Sequence, residues 1–389
     1  MSRRAHRRGI ALLTAVWMLA VLVILVAGFA AVVHSEMQAA RNFGQLARAR
    51  WAAQHGLARA EVALIREAAK PFTALETGRL LLEPEESTAA DAPAGTAAYS
   101  TIVDDEAGKI NLNTAPAETL NLLLPTEVVD AIIDWRDEDG TPGEQGAEAE
   151  YYEALTPPYH CKNAPFTTVR ELLLVKGVTA EMLAEKVTED GRTVEGVLTV
   201  SSSDTNTDAQ GQPRINIATA TKSALTQAFS ANLTAQEIDA IIQQRTSTPF
   251  KSPADILQTP NLSREKVAGM YDRLTVTADK IRKGLVNVNT APAEVLMALP
   301  GMDEAAARAI VQRRETTGPY ENLGDLLEDE GMSTDVFRRV ADALTTRSRT
   351  FCVRSTGQDA DGIRMTITCL LGVETTGSEA TTRILYWRE

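Results

Sequence analysis

Cysteine, histidine and aromatic side chains are scarce in this chain. Its 389 residues hold three cysteines (Cys161, Cys352 and Cys369), four histidines and 5% Phe, Trp and Tyr. Three thiols cannot build a four-thiolate cage and the scattered histidines do not supply the missing ligand, which argues against structural zinc; His160 beside Cys161 stands alone. Positive charge is also short beyond the N-terminus. Carboxylates outnumber Lys and Arg by 52 to 39, and the first seventy residues carry ten basic against three acidic groups, so the remainder carries −20. Such an acidic body opposes a phosphate-binding surface and suits a soluble extracytoplasmic or cation-binding one. A nucleophile, base and orienting group in a recognisable arrangement are absent, so the chain reads as non-enzymatic. What is abundant is apolar residue, 44% of the chain, enough for two or three compact units.

Arg3, Arg4, Arg7 and Arg8 lead into Ile10 to Val33, a run of 24 residues without a charge. As a helix that run is ~36 Å long, enough to cross a hydrocarbon core of ~30 Å. The arginines in front should stay cytoplasmic and send the chain beyond Val33 to the other side. The run is longer than an ordinary secretory signal, and with no cysteine nearby it is not a lipoprotein signal. From His34 to about Lys70 the chain stays free of proline, and Met37, Ala40, Phe43, Leu46, Leu57, Ala60, Ala63 and Leu64 recur at helical spacing. One helix of roughly sixty residues is predicted.

A self-comparison shows three copies of one unit. Ile110-Asn111-Leu112-Asn113-Thr114-Ala115-Pro116-Ala117-Glu118 recurs as Val286-Asn287-Val288-Asn289-Thr290-Ala291-Pro292-Ala293-Glu294, and more loosely from Ile215-Asn216-Ile217. Each copy then has a helix ending in Arg136, Arg245 or Arg314, a Pro-aromatic pair (Pro165-Phe166, Pro249-Phe250, Pro319-Tyr320) and an acid followed by two apolar residues. The second copy, 215–277, has 63 residues, and the third, 286–349, has 64. The first, 110–200, has 91 and comes to 64 once a 27-residue acidic insertion, 137–163, is set aside. Thr114 and Thr290 are expected to cap each first helix, with Pro116 and Pro292 in its first turn. Thr179, Ser263 and Ser333 are expected to cap each last one. The polar segment 201–214 reads as a linker.

Leu299-Pro300-Gly301-Met302-Asp303-Glu304 resembles the helix-hairpin-helix module of DNA-uptake proteins. That resemblance supplies an alternative, a membrane-anchored periplasmic DNA-binding protein. In such turns backbone N–H groups face a phosphate. Here Asp303 and Glu304 put two carboxylates at that place, and the turns at Leu124-Pro125-Thr126-Glu127 and Leu233-Thr234-Ala235 lack the glycines. Protein contact is favoured, with no nucleic acid expected.

Between Asp134 and Glu153 stand eight carboxylates in twenty residues, among Gly140, Pro142, Gly143 and Gly146. On composition this is a solvated acidic loop, or one that a hard, oxygen-seeking cation neutralises. Glu148 follows Asp137 by the EF-hand spacing, but Pro142 stands where that loop needs glycine. Strand-like stretches flank the repeats: 97–104 before them, and 350–356, 363–374 and 381–387 after them. Cys352 and Cys369 sit on two strands joined by the Asp359–Gly362 turn. They form a disulfide if they face each other, or remain two buried thiols if the register differs by one residue.

Several of these features resemble known families in the same order. Arg8-Gly9 followed by Ile10-Ala11-Leu12-Leu13 and an unbroken apolar helix resembles the prepilin signal of type IV pilins and type II secretion pseudopilins. It implies cleavage after Gly9 by prepilin peptidase, with Ile10 as the methylated N-terminus. Asp134-Trp135-Arg136-Asp137-Glu138-Asp139, Gly146-Ala147-Glu148, Tyr151-Tyr152, Pro157-Pro158-Tyr159 and the run from Glu171 to Thr179 resemble the minor pseudopilin K family, as does the ending Ile384 to Glu389. Thr14 replaces the glutamate usual at the fifth mature position, an absence typical of that family's proposed tip subunit.

The resemblance implies an α+β, pilin-like fold. A leader (1–9), a transmembrane helix (10–33), its periplasmic continuation (34–70) and two parts of a sheet (71–109 and 350–389) would be interrupted by three helix-hairpin-helix or SAM-like repeats. It also implies structural calcium on Asp137, Asp139 and Glu148, with Glu144 and Glu150 as weaker ligands. A single-pass inner-membrane subunit is expected at the tip of the type II secretion pseudopilus, with minor pseudopilins I and J and the major pseudopilin as partners. It would act in assembly and export. The usual member has modules matching the first and third copies, so the second is extra.

Overall fold

The computed structural model describes the backbone of residues 4–75, 79–82, 98–376 and 379–389. Helix α1 runs Arg4–Ala68, 65 residues. Gly9 and Ile10 fall in its first turns, where side chains lie outside the described residues, as do 83–97, part of the expected first sheet segment. The apolar half of α1 stands clear of the body, exposed from Leu12 to Phe43 except for half-buried Val21, and is long and apolar enough to cross a membrane.

The other half lies on a five-stranded sheet. Strands β1 (Arg79–Leu82), β2 (Ala98–Asp105), β3 (Thr350–Gln358), β4 (Arg364–Thr376) and β5 (Glu379–Arg388) follow one another across it, every pair antiparallel. The short edge strand β1 was not expected. Ala53, Leu57, Ala60 and Leu64 recur three or four residues apart and pack on Val103, Val353, Ile367, Cys369 and Leu371, while Ala49 and Gly56 face Gly357 and the Thr101–Ser355 pair. Small residues let the helix approach closely. At Gly357 a β-carbon would sit 2.0 Å from the Ala49 carbonyl oxygen.

The cysteine register corrects the disulfide reading. Cys352 is opposite Leu370, and Cys369 is opposite Val353, so the two side chains emerge on opposite faces of the sheet. All three cysteines are free. Burial pushes Cys352 and Cys369 up to about 11. Non-reducing mass spectrometry should therefore show three thiols per chain, and thiol reagents should label Cys369 slowly until the protein unfolds.

Between β2 and β3 the chain forms the three copies. Each closes with a two-residue parallel pairing of its first and last segments: Ile110 with Leu198, Ile215 with Leu274, and Val286 with Leu344. The main helices are α2 (Thr126–Arg136), α3 (Ala235–Ser247) and α4 (Glu304–Thr316). The arginine near the end of each reaches back to the opening turn. Arg136 donates to the Leu112 and Ala115 carbonyls, Arg245 to Ile217 and Ala220, and Arg314 to Val288 and Ala291. Asn113 and Asn289 exchange two hydrogen bonds with the backbone of Phe166 and Tyr320, which accounts for the Asn-x-Asn pattern. Ala218 holds that place in the middle copy.

Thr179, Ser263 and Ser333 do cap the last helices. Thr114 and Thr290 do not cap the first ones. The N-caps are Pro116 and Pro292, without a side-chain bond, because proline holds the residue before it extended and delays the helix. The expected linker is also ordered. Ser203–Thr205 pairs with Ile281–Lys283, and buried Asp204 lies 3.3 Å from Arg347. A polar stretch is held here because its carboxylate has a cation to meet.

The insertion is fastened to the sheet at one buried carboxylate. Asp105, the last residue of β2, accepts hydrogen bonds from Asn287, Thr290, Ser348 and the Ala107 amide. Asn287 also donates to the Thr73 carbonyl. The segment after α1, the end of β2 and both ends of the third copy meet at this point.

Candidate metal centre

Helix α2 buries Val128, Val129, Ala131, Ile132 and Trp135, and this apolar face aims its last turn at the acidic loop. Trp135 packs edge-on against Tyr152, with ring centroids 5.1 Å apart. Asp134 then pulls the loop back onto the helix. Its carboxylate accepts from the Gly143 amide at 3.1 Å and from Ala147 at 2.7 Å. Gly146 is required beside it, since a β-carbon there would lie 1.8 Å from an Asp134 oxygen. From the other side Lys176 donates to the Gln145 and Gly146 carbonyls at 3.0 and 2.9 Å.

These ties bring Asp137, Asp139 and Glu148 together. One carboxylate oxygen from each lies within 4.8 Å of the others. Glu148 is buried, Asp137 half-buried and Asp139 exposed. Glu144 and Glu150, the weaker candidates, stay exposed and outside the group. The group itself holds no histidine or cysteine, although the Cys161 thiol lies against Glu148, and among the described residues this is the one such cluster.

Asn163 completes the wall. Its backbone is left-handed (φ 45°), and its amide donates to the Asp139 carbonyl at 2.7 Å and to Glu148 at 3.1 Å. That leaves Asn163 Oδ1, Asp137 Oδ1 and Glu148 Oε1 buried with no hydrogen-bond partner. Unpartnered buried oxygens are costly, and here two belong to the carboxylate group and the third to the side chain that bonds it. Burial, then the charges of Asp139 and Asp134, raise the Asp137 carboxyl above its ordinary range. Burial, and behind it Asp134 and Asp137, do the same to Glu148 against the lowering bond from Asn163. A cation would relieve both the repulsion and the missing partners. Four side chains offering only oxygen select a hard ion.

Sequence reasoning missed Asn163 and the anchoring role of Asp134. Asn163 sits at the insertion's end, just before Ala164-Pro165, and an Asn there is compatible with a left-handed turn. Asp134 looked like one more acid in the run. Its place on the buried face of α2, one turn from Trp135's apolar neighbours, was the available signal.

A long helix laid by its second half on an antiparallel sheet, with a helical insertion that carries this oxygen-lined loop, defines a mixed α and β chain whose first half is long and apolar enough to cross a membrane. Two family models described as type II secretion system protein K match 117–186, and 215–277 together with 286–347, half of the chain in all. The chain belongs to the type II secretion system protein K family. The second model matches twice in tandem, over the second and third copies.

Protein K of Klebsiella pneumoniae is 30% identical over 171 residues, 44% of this chain and 47% of that protein. Protein K of Aeromonas hydrophila is 44% identical over 59 residues, 15% of this chain and 18% of that one. The chain thus spans less than half the length of the curated relatives it matches. A crystal structure of the GspK-GspI-GspJ complex from the enterotoxigenic Escherichia coli type 2 secretion system contains a chain of the same fold. It matches at TM-score 0.51 and 14% identity, covering 90% of this chain and 98% of that one. The apolar start of α1 fits an inner-membrane anchor.

Proposed function

We propose that this chain is a minor pseudopilin that caps or starts the type II secretion pseudopilus, together with minor pseudopilins I and J. The observation that carries the reading is Thr14 within the apolar run of a chain of this family. A carboxylate in hydrocarbon is costly unless paired, and a subunit without one needs no neighbour above it. Prepilin peptidase would cut after Gly9 and expose Ile10 for methylation. The body would lie in the periplasm and the first half of α1 in the inner membrane, above the major pseudopilin. The three copies would act as helix-hairpin-helix or SAM-like contact modules, whose bulk obstructs a further subunit, and the chain would have no enzymatic role. Gold-labelled antibody to the helical modules should decorate filament ends. Label spread along the shafts would defeat the assignment.

Calcium belongs to the same proposal, as a structural clamp. Asp137, Asp139, Glu148 and Asn163 would hold it, and its charge would neutralise a loop that otherwise repels itself. Adding calcium to the metal-free full chain should raise its Tm by several degrees, a stabilisation of about 2.7 kcal/mol at a hundredfold excess over Kd. Asp137→Ala, Glu148→Ala and Asn163→Ala should each remove most of that rise, whereas Glu144→Ala should leave it. An equal calcium shift in all four variants would remove the site.

The DNA-binding alternative is disfavoured at its own turn. Asp303 is the N-cap of α4, with its carboxylate accepting from the Ala306 amide, so a negative charge occupies the place a phosphate needs. Salt-sensitive binding of duplex DNA by the purified chain would restore it.

A further inference from the structure

The sheet face turned away from α1 meets the first helical copy across an open cleft of about 790 Å³. Two rows of side chains cross its floor. Cys352, Leu370 and Tyr386 are aligned across β3, β4 and β5, and Arg354, Thr368 and Arg388 form the next row on the same face. The far wall comes from residues 167–170 and 191–196.

The charges in the cleft do not balance. Asp104 is already paired with Arg79 at 2.5 Å, Glu106 with Lys109 at 2.5 Å, and Glu195 with Arg170 at 2.8 Å. Arg354 and Arg388 are exposed, and their side chains have neither ion pair nor hydrogen bond among the described residues. They bracket the Thr368 hydroxyl from two strands apart, about 10 Å from backbone to backbone at the usual strand spacing. Two carboxylates two residues apart on an extended chain share one face and lie about 7 Å apart, a spacing that two long guanidinium side chains can close on. A volume near 800 Å³ suits several residues rather than a single small anion.

We propose that this cleft binds an extended, acidic segment of a partner protein, with two carboxylates from one face of that segment on Arg354 and Arg388. The inference depends neither on calcium nor on a place at the filament tip. A fluorescein-labelled hexapeptide alternating Glu and Leu, titrated by anisotropy against the full chain in detergent micelles, provides the test. Binding should be saturable, at least tenfold tighter than for the Gln-Leu peptide, and weaker in higher salt.

Arg354→Glu and Arg388→Glu should each weaken it at least tenfold without changing the circular dichroism spectrum, and Arg354→Gln should weaken it less. Arg308→Glu, outside the cleft, should have no effect. Equal binding of the two peptides, or full binding by the charge-reversed variants, would overturn the proposal. Displacement of the peptide by an equal concentration of inorganic phosphate would also overturn it, in favour of a small-anion site.

Discussion

Gly357→Val is expected to unseat α1 from the sheet. Gly357, near the end of β3, lies where α1 packs on that strand, opposite Tyr99 and Met365. A β-carbon there would be 2.0 Å from the Ala49 carbonyl oxygen and 2.4 Å from the Ala53 amide nitrogen. Both are main-chain atoms inside a helix, so no rotamer change relieves the overlap. Overpacking that side chains can absorb costs about 1–3 kcal/mol, and backbone that cannot yield should put this variant at about 3 kcal/mol or beyond. Gly56→Val across the contact meets the Thr101 and Ser355 hydroxyls at 2.2 and 2.4 Å, groups that can turn aside in part, and should cost less. Urea unfolding of the two variants tests the order. A Gly357→Val midpoint equal to that of the parent chain would mean that the helix does not lie this close.

Asp105→Ala is the second large effect. Removing the carboxylate strands the hydroxyl donors of Thr290 and Ser348, both buried, while Asn287 keeps the Thr73 carbonyl and Ser348 hydroxyl as acceptors, and each unsatisfied buried donor costs about 1–3 kcal/mol. A loss of about 3 kcal/mol or more is expected. Because those donors join the sheet to the third copy, protease sensitivity should rise first near residues 346–350. Burial holds the Asp105 carboxyl above its ordinary value despite these four donors. The folded chain therefore binds that proton more tightly than the unfolded chain does. Its contribution to stability is fully present below the unfolded value of 3.8 and is lost as the pH rises through the raised folded value. Asp105→Asn should flatten that part of the stability–pH curve, and an unchanged slope would place the titration elsewhere.

Both effects lie in places where the sequence was hard to read. The helix pattern from Met37 to Leu64 and the strand pattern after Thr350 were legible because local periodicity reports which face is buried. Neither pattern says which glycine will meet which helical carbonyl. Asp105 belongs to an acidic run, Asp104-Asp105-Glu106, that looks like any solvated turn. Its side-chain partners are 182 and more residues away, and no local rule joins them. Thr290 shows the same limit. Its place before Pro292 suggested a cap, but the buried carboxylate claims its hydroxyl. The candidate cation site was half legible, because crowded acids in a glycine-rich loop announce their own repulsion. Asn163 had no such signature.

Charge, periodicity and repetition along the chain were enough to determine the membrane-length helix, the three copies and the acidic loop, because each depends on neighbours a few residues apart or on direct comparison of one stretch with another. Only the tertiary structure decided which carboxylates gather, that Cys352 and Cys369 turn away from each other, and that two arginines stand over a cleft with no ion pair among the described residues. Those outcomes depend on strand register and on contacts between segments far apart in the chain, where a shift of one residue changes the face and the partner.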